Sequence, residues 1–72
     1  MNIFIVTHVA ENKVLAHHVF KNNEDAKKIF FRLITEEGGI PDNKLFSVND
    51  NGGPEGIWQG DYSTVCFSQE AV

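Results

Sequence analysis

Apolar residues recur at Ala26, Ile29, Phe30, Leu33 and Ile34, at spacings of three, four, seven and eight, and so line one side of an α-helix. That stripe has to be buried, and it predicts a helix over about 23–37. Asn22 or Asn23 supplies an oxygen for an orphan N–H at its start, and Glu24 and Asp25 put negative charge at the positive end of the helix dipole. Gly38-Gly39 offers a left-handed stop, Ile40 can fold back on the last turn, and Pro41 forbids continuation. Glu24, Lys28, Arg32 and Glu36 follow the opposite face at four-residue steps, which is the pattern of a solvated surface with paired charges. Phe31 lies about 100° round from Phe30, either under the edge of a sheet or partly in solvent.

Before the helix the pattern changes. Asn2–Val9 is rich in β-branched and aromatic residues, with apolar side chains on both alternating sets. Ala10-Glu-Asn-Lys13 is a polar break, and Val14–Phe20 reads as a returning strand. A two-residue turn at Glu11-Asn12 and a four-residue loop over Ala10–Lys13 give the same register, with Val9 facing Val14, Val6 facing His17 and Phe4 facing Val19. One face then carries Ile3, Ile5, Thr7, Val9, Val14, Ala16, His18 and Phe20, whose small and branched residues suit the helix. The other carries Phe4, Val6, His8, Leu15, His17 and Val19. It is expected to be a partner or dimer surface, unless the carboxy-terminal segment folds over it.

After the helix, Ile40–Lys44 is a connector and Leu45–Val48 a short strand. Asn49–Gly56, dense in Asn, Gly and Pro, is expected to be a loop. Ile57–Gln59 resumes an extended run, Gly60-Asp61 interrupts it, and Tyr62–Ser68 alternates, with Tyr62, Thr64 and Cys66 opposite Ser63, Val65 and Phe67. The expected fold class is α+β: a single two-layer domain over residues 1–72, with an antiparallel sheet and one helix on one face, ββαββ or ββαβββ.

Composition narrows the functional classes. Seventy-two residues with 42% hydrophobic side chains, 22% charged and six Phe describe one small folded domain rather than a disordered chain. The single Cys66 has no partner for an internal disulfide, so a cytoplasmic setting is expected. No basic leader or sufficiently long apolar run suggests a signal peptide or a membrane helix. The formal charge is −4, and all six Lys and Arg lie at or before Lys44, whereas Leu45–Val72 contains Asp50, Glu55, Asp61 and Glu70. That segment repels phosphate, so no direct nucleic-acid binding is expected through it. Its acids suit a basic protein groove that ordinarily holds nucleic acid.

His8, His17 and His18 are the natural general bases of the chain. In the register above, His8 and His17 share a face diagonally at about 7–8 Å, compatible with two ligands on one metal, but a third ligand is not fixed by the sequence, so no metal or cofactor is expected. Cys66 reads as a buried strand residue rather than a nucleophile. The Asn49–Gly56 stretch lacks both phosphate-loop and calcium-loop spacing. Trp58 and Tyr62 flank the acidic surface and either anchor an interface or close the core.

In size, acidity and hairpin-plus-helix layout, the chain resembles short phage and mobile-element accessory proteins, anti-CRISPR proteins among them. The resemblance lies in layout and carries no residues over. It implies a non-enzymatic inhibitor that docks on a host protein complex and blocks a basic groove. The residues expected to contact a protein partner or a second copy are His8, His17, Asp50, Glu55, Trp58, Asp61 and Tyr62. Two alternatives stand beside this: a small enzyme or ligand-binding domain using His8 or His17 at a subunit interface, and a structural subunit of a larger assembly.

Overall fold

A computed structural model of the chain describes residues 2–48 and 53–71. These form five strands and one α-helix: β1 (Asn2–Ala10), β2 (Lys13–Phe20), α1 (Asn23–Glu36), β3 (Phe46–Val48), β4 (Pro54–Gln59) and β5 (Ser63–Ala71). A 3-10 turn at Asn43–Leu45 leads into β3. All strand pairs are antiparallel, in the order β2-β1-β5-β4-β3. The fold is α+β, two-layer, ββαβββ.

The helix forms where its stripe predicts. Asn22 Oδ1 accepts a hydrogen bond from the Glu24 N–H at 2.8 Å. At the other end the Gly39 N–H donates to the Ile34 carbonyl at 2.9 Å and the Gly38 N–H to the Thr35 carbonyl at 3.0 Å. With Gly38 at φ +84°, this is a Schellman stop, in which a residue without a Cβ adopts the left-handed conformation freely. Ala26, Phe30 and Ile34 are buried against Val6 of β1 and Val65 and Phe67 of β5. Phe30, Phe46 and Phe67 meet at centroid separations of 5.1–5.7 Å, in tilted or edge-on contacts. Phe31 is partly buried and stands edge-on to Phe46.

The turn between β1 and β2 has two residues, Glu11 (φ 52°) and Asn12 (φ 65°), both left-handed, as the right-handed twist of a hairpin favours. Val9 faces Val14 as expected. Beyond that pair the expected register is corrected: Val6 faces His18, not His17, and Phe4 faces Phe20, not Val19. The cause is a β-bulge. His8 faces Ala16 while Val9 faces Val14, so Leu15 is an extra residue in β2. Beyond the bulge, Ala16, His18 and Phe20 of β2 point the same way as the even-numbered residues of β1, towards the helix. Phe4, Val6 and His8 therefore lie under α1 with His18 and Phe20, and the assignment of Ile3, Ile5, Thr7 and Val9 to the helix side is overturned.

The expected loop Asn49–Gly56 is also corrected. Pro54–Gly56 belongs to β4, and residues 49–52 lie outside the described residues. Pro54 takes the first position of the strand, and Gly56 faces Phe46, where a Cβ would come within 3.0 Å of that ring.

Candidate functional site

The helix layer covers one face of the sheet, through contacts with β1, β2 and β5. Among the described residues nothing covers the other. Strand alternation places there Ile3, Ile5, Thr7 and Val9 from β1, and Val14, His17 and Val19 from β2. The far half presents Thr64, Cys66, Ser68 and Glu70 from β5, Glu55, Ile57 and Gln59 from β4, and Ser47 from β3.

Three cross-strand rows organise this face. His17, Thr7, Cys66 and Ile57 face one another in sequence across four strands, with Thr7 Oγ1 3.3 Å from His17 Nδ1. Val19, Ile5 and Ser68 form a second row, and Val14, Val9, Thr64 and Gln59 a third. The half of the face on β1 and β2 is aliphatic, with Val14 and Val19 more than half exposed; the half on β4 and β5 is hydroxyl-rich and carries Glu55 and Glu70. None of these positions is Lys or Arg, so the face is apolar and negative.

Between β3, β4 and β5 the face sinks into a cleft of about 200 Å³, bordered by Leu45, Ser47, Glu55, Ile57, Cys66 and Ser68. Burial pushes the Cys66 thiol above its ordinary range, because the thiolate loses hydration there. The thiol therefore stays protonated near neutral pH, and Glu55 is the cleft's charged group. A second hollow of about 250 Å³ lies at the hairpin end, where Glu11 and Asn12 approach Asp61 and Tyr62.

The residues expected to contact a partner are scattered. His17 and Glu55 lie on the uncovered face. His8 does not: it is 8% exposed, on the helix side, with Nε2 2.9 Å from Glu37 Oε1. His8 and His17 point to opposite sides of the sheet, so a diagonal pair of imidazoles on one face is ruled out by the bulge. Trp58 is partly buried on the helix side, packed against the core. Asp61 and Tyr62 are exposed in the β4–β5 turn, with Tyr62 at 84%, and Asp50 lies outside the described residues. No three of His, Cys, Asp and Glu among the described residues are placed to hold a metal ion.

Ser47, Ile57, Cys66 and Ser68 were not expected as site residues. The alternation of Tyr62–Ser68 carries the signal for two of them, since it sets Cys66 and Ser68 apart from Val65 and Phe67.

The chain matches no protein-family model, no curated protein and no solved structure. No helix among the described residues is long and apolar enough to cross a membrane.

Proposed function

We propose that this chain is a non-enzymatic binding module that docks on a basic protein surface through the uncovered face of its sheet. One observation carries the reading: Ile3, Ile5, Val9, Val14, Val19 and Ile57 share a face whose carboxylates are Glu55 and Glu70 and which holds no Lys or Arg. An apolar face of this kind gains free energy by being covered, about 25 cal/mol for each Å² removed from water. Its charge selects the cover: an acidic patch steers and holds a basic one.

The most concrete form is occupancy of a protein groove that ordinarily holds nucleic acid, because such grooves are lined with Lys and Arg. Inhibition by steric and charge blockade then follows, as in the phage accessory proteins that the layout resembles. A reducing cytoplasmic setting is part of the reading, supported by the single free thiol of Cys66.

The test is an NMR titration of the labelled chain with a lysine- and arginine-rich peptide and with an acidic peptide of equal length. The basic peptide is expected to shift amide signals on the uncovered face, less so at high salt, and Ile5→Lys to abolish the response. Equal responses to both peptides, or shifts confined to the helix layer, would overturn the proposal.

One feature favours a second copy of the chain as occupant. β2 is an eight-residue edge strand with Val14, Leu15 and Val19 exposed, and its free edge can accept another strand. Sedimentation that rises with concentration, and that Val19→Lys returns to the monomer value, would select this reading.

A further inference from the structure

We infer that the cleft between β3, β4 and β5 is a receptor for one arginine side chain of the docked protein. The inference rests on the face-docking proposal and supplies its ligand chemistry.

The cleft has the two parts that an arginine requires. Ile57 and Leu45 give an apolar wall for the three methylenes of the side chain, and Ile57 is half exposed and open to further contact. Glu55 with the Ser47 and Ser68 hydroxyls gives a set of acceptors around one carboxylate. Ser47 faces Glu55 directly across the β3–β4 pair, and Ser68 follows the Gly56–Phe67 pair on β5. These oxygens suit a guanidinium, whose five N–H donors are fixed in one plane and whose weak hydration permits contact with aliphatic carbon. A lysine ammonium is compact and strongly hydrated, and uses the wall less well.

Charge complementarity decides between occupants. Among the described residues, Glu55 is the one acidic side chain bordering the cleft, and no Lys or Arg borders it. An acidic or phosphorylated side chain would meet repulsion from Glu55 with no base on the face to offset it. A purely apolar side chain would leave the carboxylate desolvated and unpaired. Lys44, exposed beside Leu45, is the internal competitor nearest in sequence, but its side chain forms no ion pair among the described residues.

Cys66 makes the proposal measurable, because the chain's single thiol borders the cleft. Alkylation by iodoacetamide at fixed pH reports on its occupancy. Three short neutral-flanked peptides serve as probes, identical except for a central arginine, lysine or citrulline, the last having the shape of arginine without the charge. The arginine peptide is expected to slow alkylation at saturation, the lysine peptide to act more weakly and the citrulline peptide least. Glu55→Gln is expected to weaken arginine protection about tenfold, because a charge-assisted contact becomes a neutral one, while Glu24→Gln, on the solvated side of the helix layer, leaves it unchanged. Glu55 is an exposed strand residue, and an unchanged amide spectrum away from β3–β5 establishes that the variant folds.

Equal protection by arginine and citrulline, or protection indifferent to Glu55→Gln, would overturn the assignment. If the arginine peptide shifts the amide signals of Ile5 and Val19 without protecting Cys66, the cleft assignment falls and the face-docking proposal stands. If neither the amides nor the thiol responds to any basic peptide, both fall.

Discussion

His8 Nε2 lies 2.9 Å from Glu37 Oε1, joining the middle of β1 to the C-cap of α1. The separation is that of an ion pair, yet Nε2 makes no hydrogen bond. A buried polar atom with so imperfect a partner costs about 1–3 kcal/mol, whereas an apolar group of similar size in its place is close to neutral. His8→Leu is therefore expected to leave stability unchanged or raise it by up to about 1 kcal/mol. Glu37→Ala is expected to lower it by less than about 1 kcal/mol, because the carboxylate is one-third exposed and screened. Urea denaturation at neutral pH measures both. A loss above about 2 kcal/mol in His8→Leu would show instead that the pair holds the two layers together.

Trp58 is wedged between two glycines. A Cβ at Gly39 would lie 2.6 Å from the Trp58 Cε2 and Cζ2 atoms and 2.7 Å from Ile34 Cγ2, and one at Gly60 would lie 2.5 Å from Trp58 Cη2. Gly39→Ala and Gly60→Ala are each expected to cost about 1–3 kcal/mol by overpacking. The same change at Gly60 is expected to cost less in a Trp58→Leu background, with a coupling of about 1 kcal/mol in a double-mutant cycle. Additive losses would mean that the ring moves aside at no cost. This indole closes the core, which limits it as an interface anchor.

Phe30 is fully buried and touches Phe31, Phe46 and Phe67. Phe30→Ala is expected to cost about 3–5 kcal/mol through lost transfer energy and the remaining cavity. That is a large share of the stability of a 72-residue domain, so near-ultraviolet circular dichroism of the variant is expected to show lost side-chain packing at 37 °C. Retention of the native spectrum and a loss under about 1 kcal/mol would indicate that the aromatic cluster collapses into the gap.

The helix was legible because local signals agreed. Its stripe, the Asn22 cap and the Gly38-Gly39 stop each marked the same segment, and none required knowledge of the rest of the chain. The position of the hairpin turn, though not its length, and the alternation of β5 were legible for the same reason. The faces of β1 were not. Ile3, Phe4, Ile5 and Val6 put apolar residues on both sides, so period-two patterning does not choose between them. The choice is made by distant packing: Val6 and Phe4 meet Phe67 of β5 and the buried stripe of the helix, contacts that only the assembled sheet supplies. Pro54 and Gly56 read as breakers, yet in β4 Pro54 starts a strand and Gly56 leaves room for the Phe46 ring. The uncovered face was expected, but its membership was inverted along β1, and the cleft beside Glu55 needs three strands that only the topology brings together.

The hairpin turn offers a stabilising change. Glu11 and Asn12 both have positive φ, which costs a residue with a long side chain about 1 kcal/mol more than Asn or Gly. Glu11→Asn combined with Asn12→Gly is expected to raise stability by about 0.5–1 kcal/mol, or the melting temperature by about 3–6 °C in a domain of this size. Both side chains are exposed, so no packing is lost. A lowered melting temperature would mean that Glu11 makes a contact in solution that outweighs its backbone strain.

Cys66 links the fold to alkaline pH. Burial raises its thiol above the ordinary value of 9.0, so between the unfolded and folded titrations the native chain holds a proton that the unfolded chain has lost. Stability from this group is thus fully present below the unfolded titration and declines as pH rises through the folded one. Comparison with Cys66→Ala isolates the effect from the other groups that titrate in the same range: the wild type is expected to lose more stability above pH 9 than the variant. The alkylation rate of the folded chain is likewise expected to reach half its maximum at higher pH than that of the chain in urea. Coincident alkylation midpoints and parallel stability curves would mean that the cleft floor is hydrated like bulk solvent.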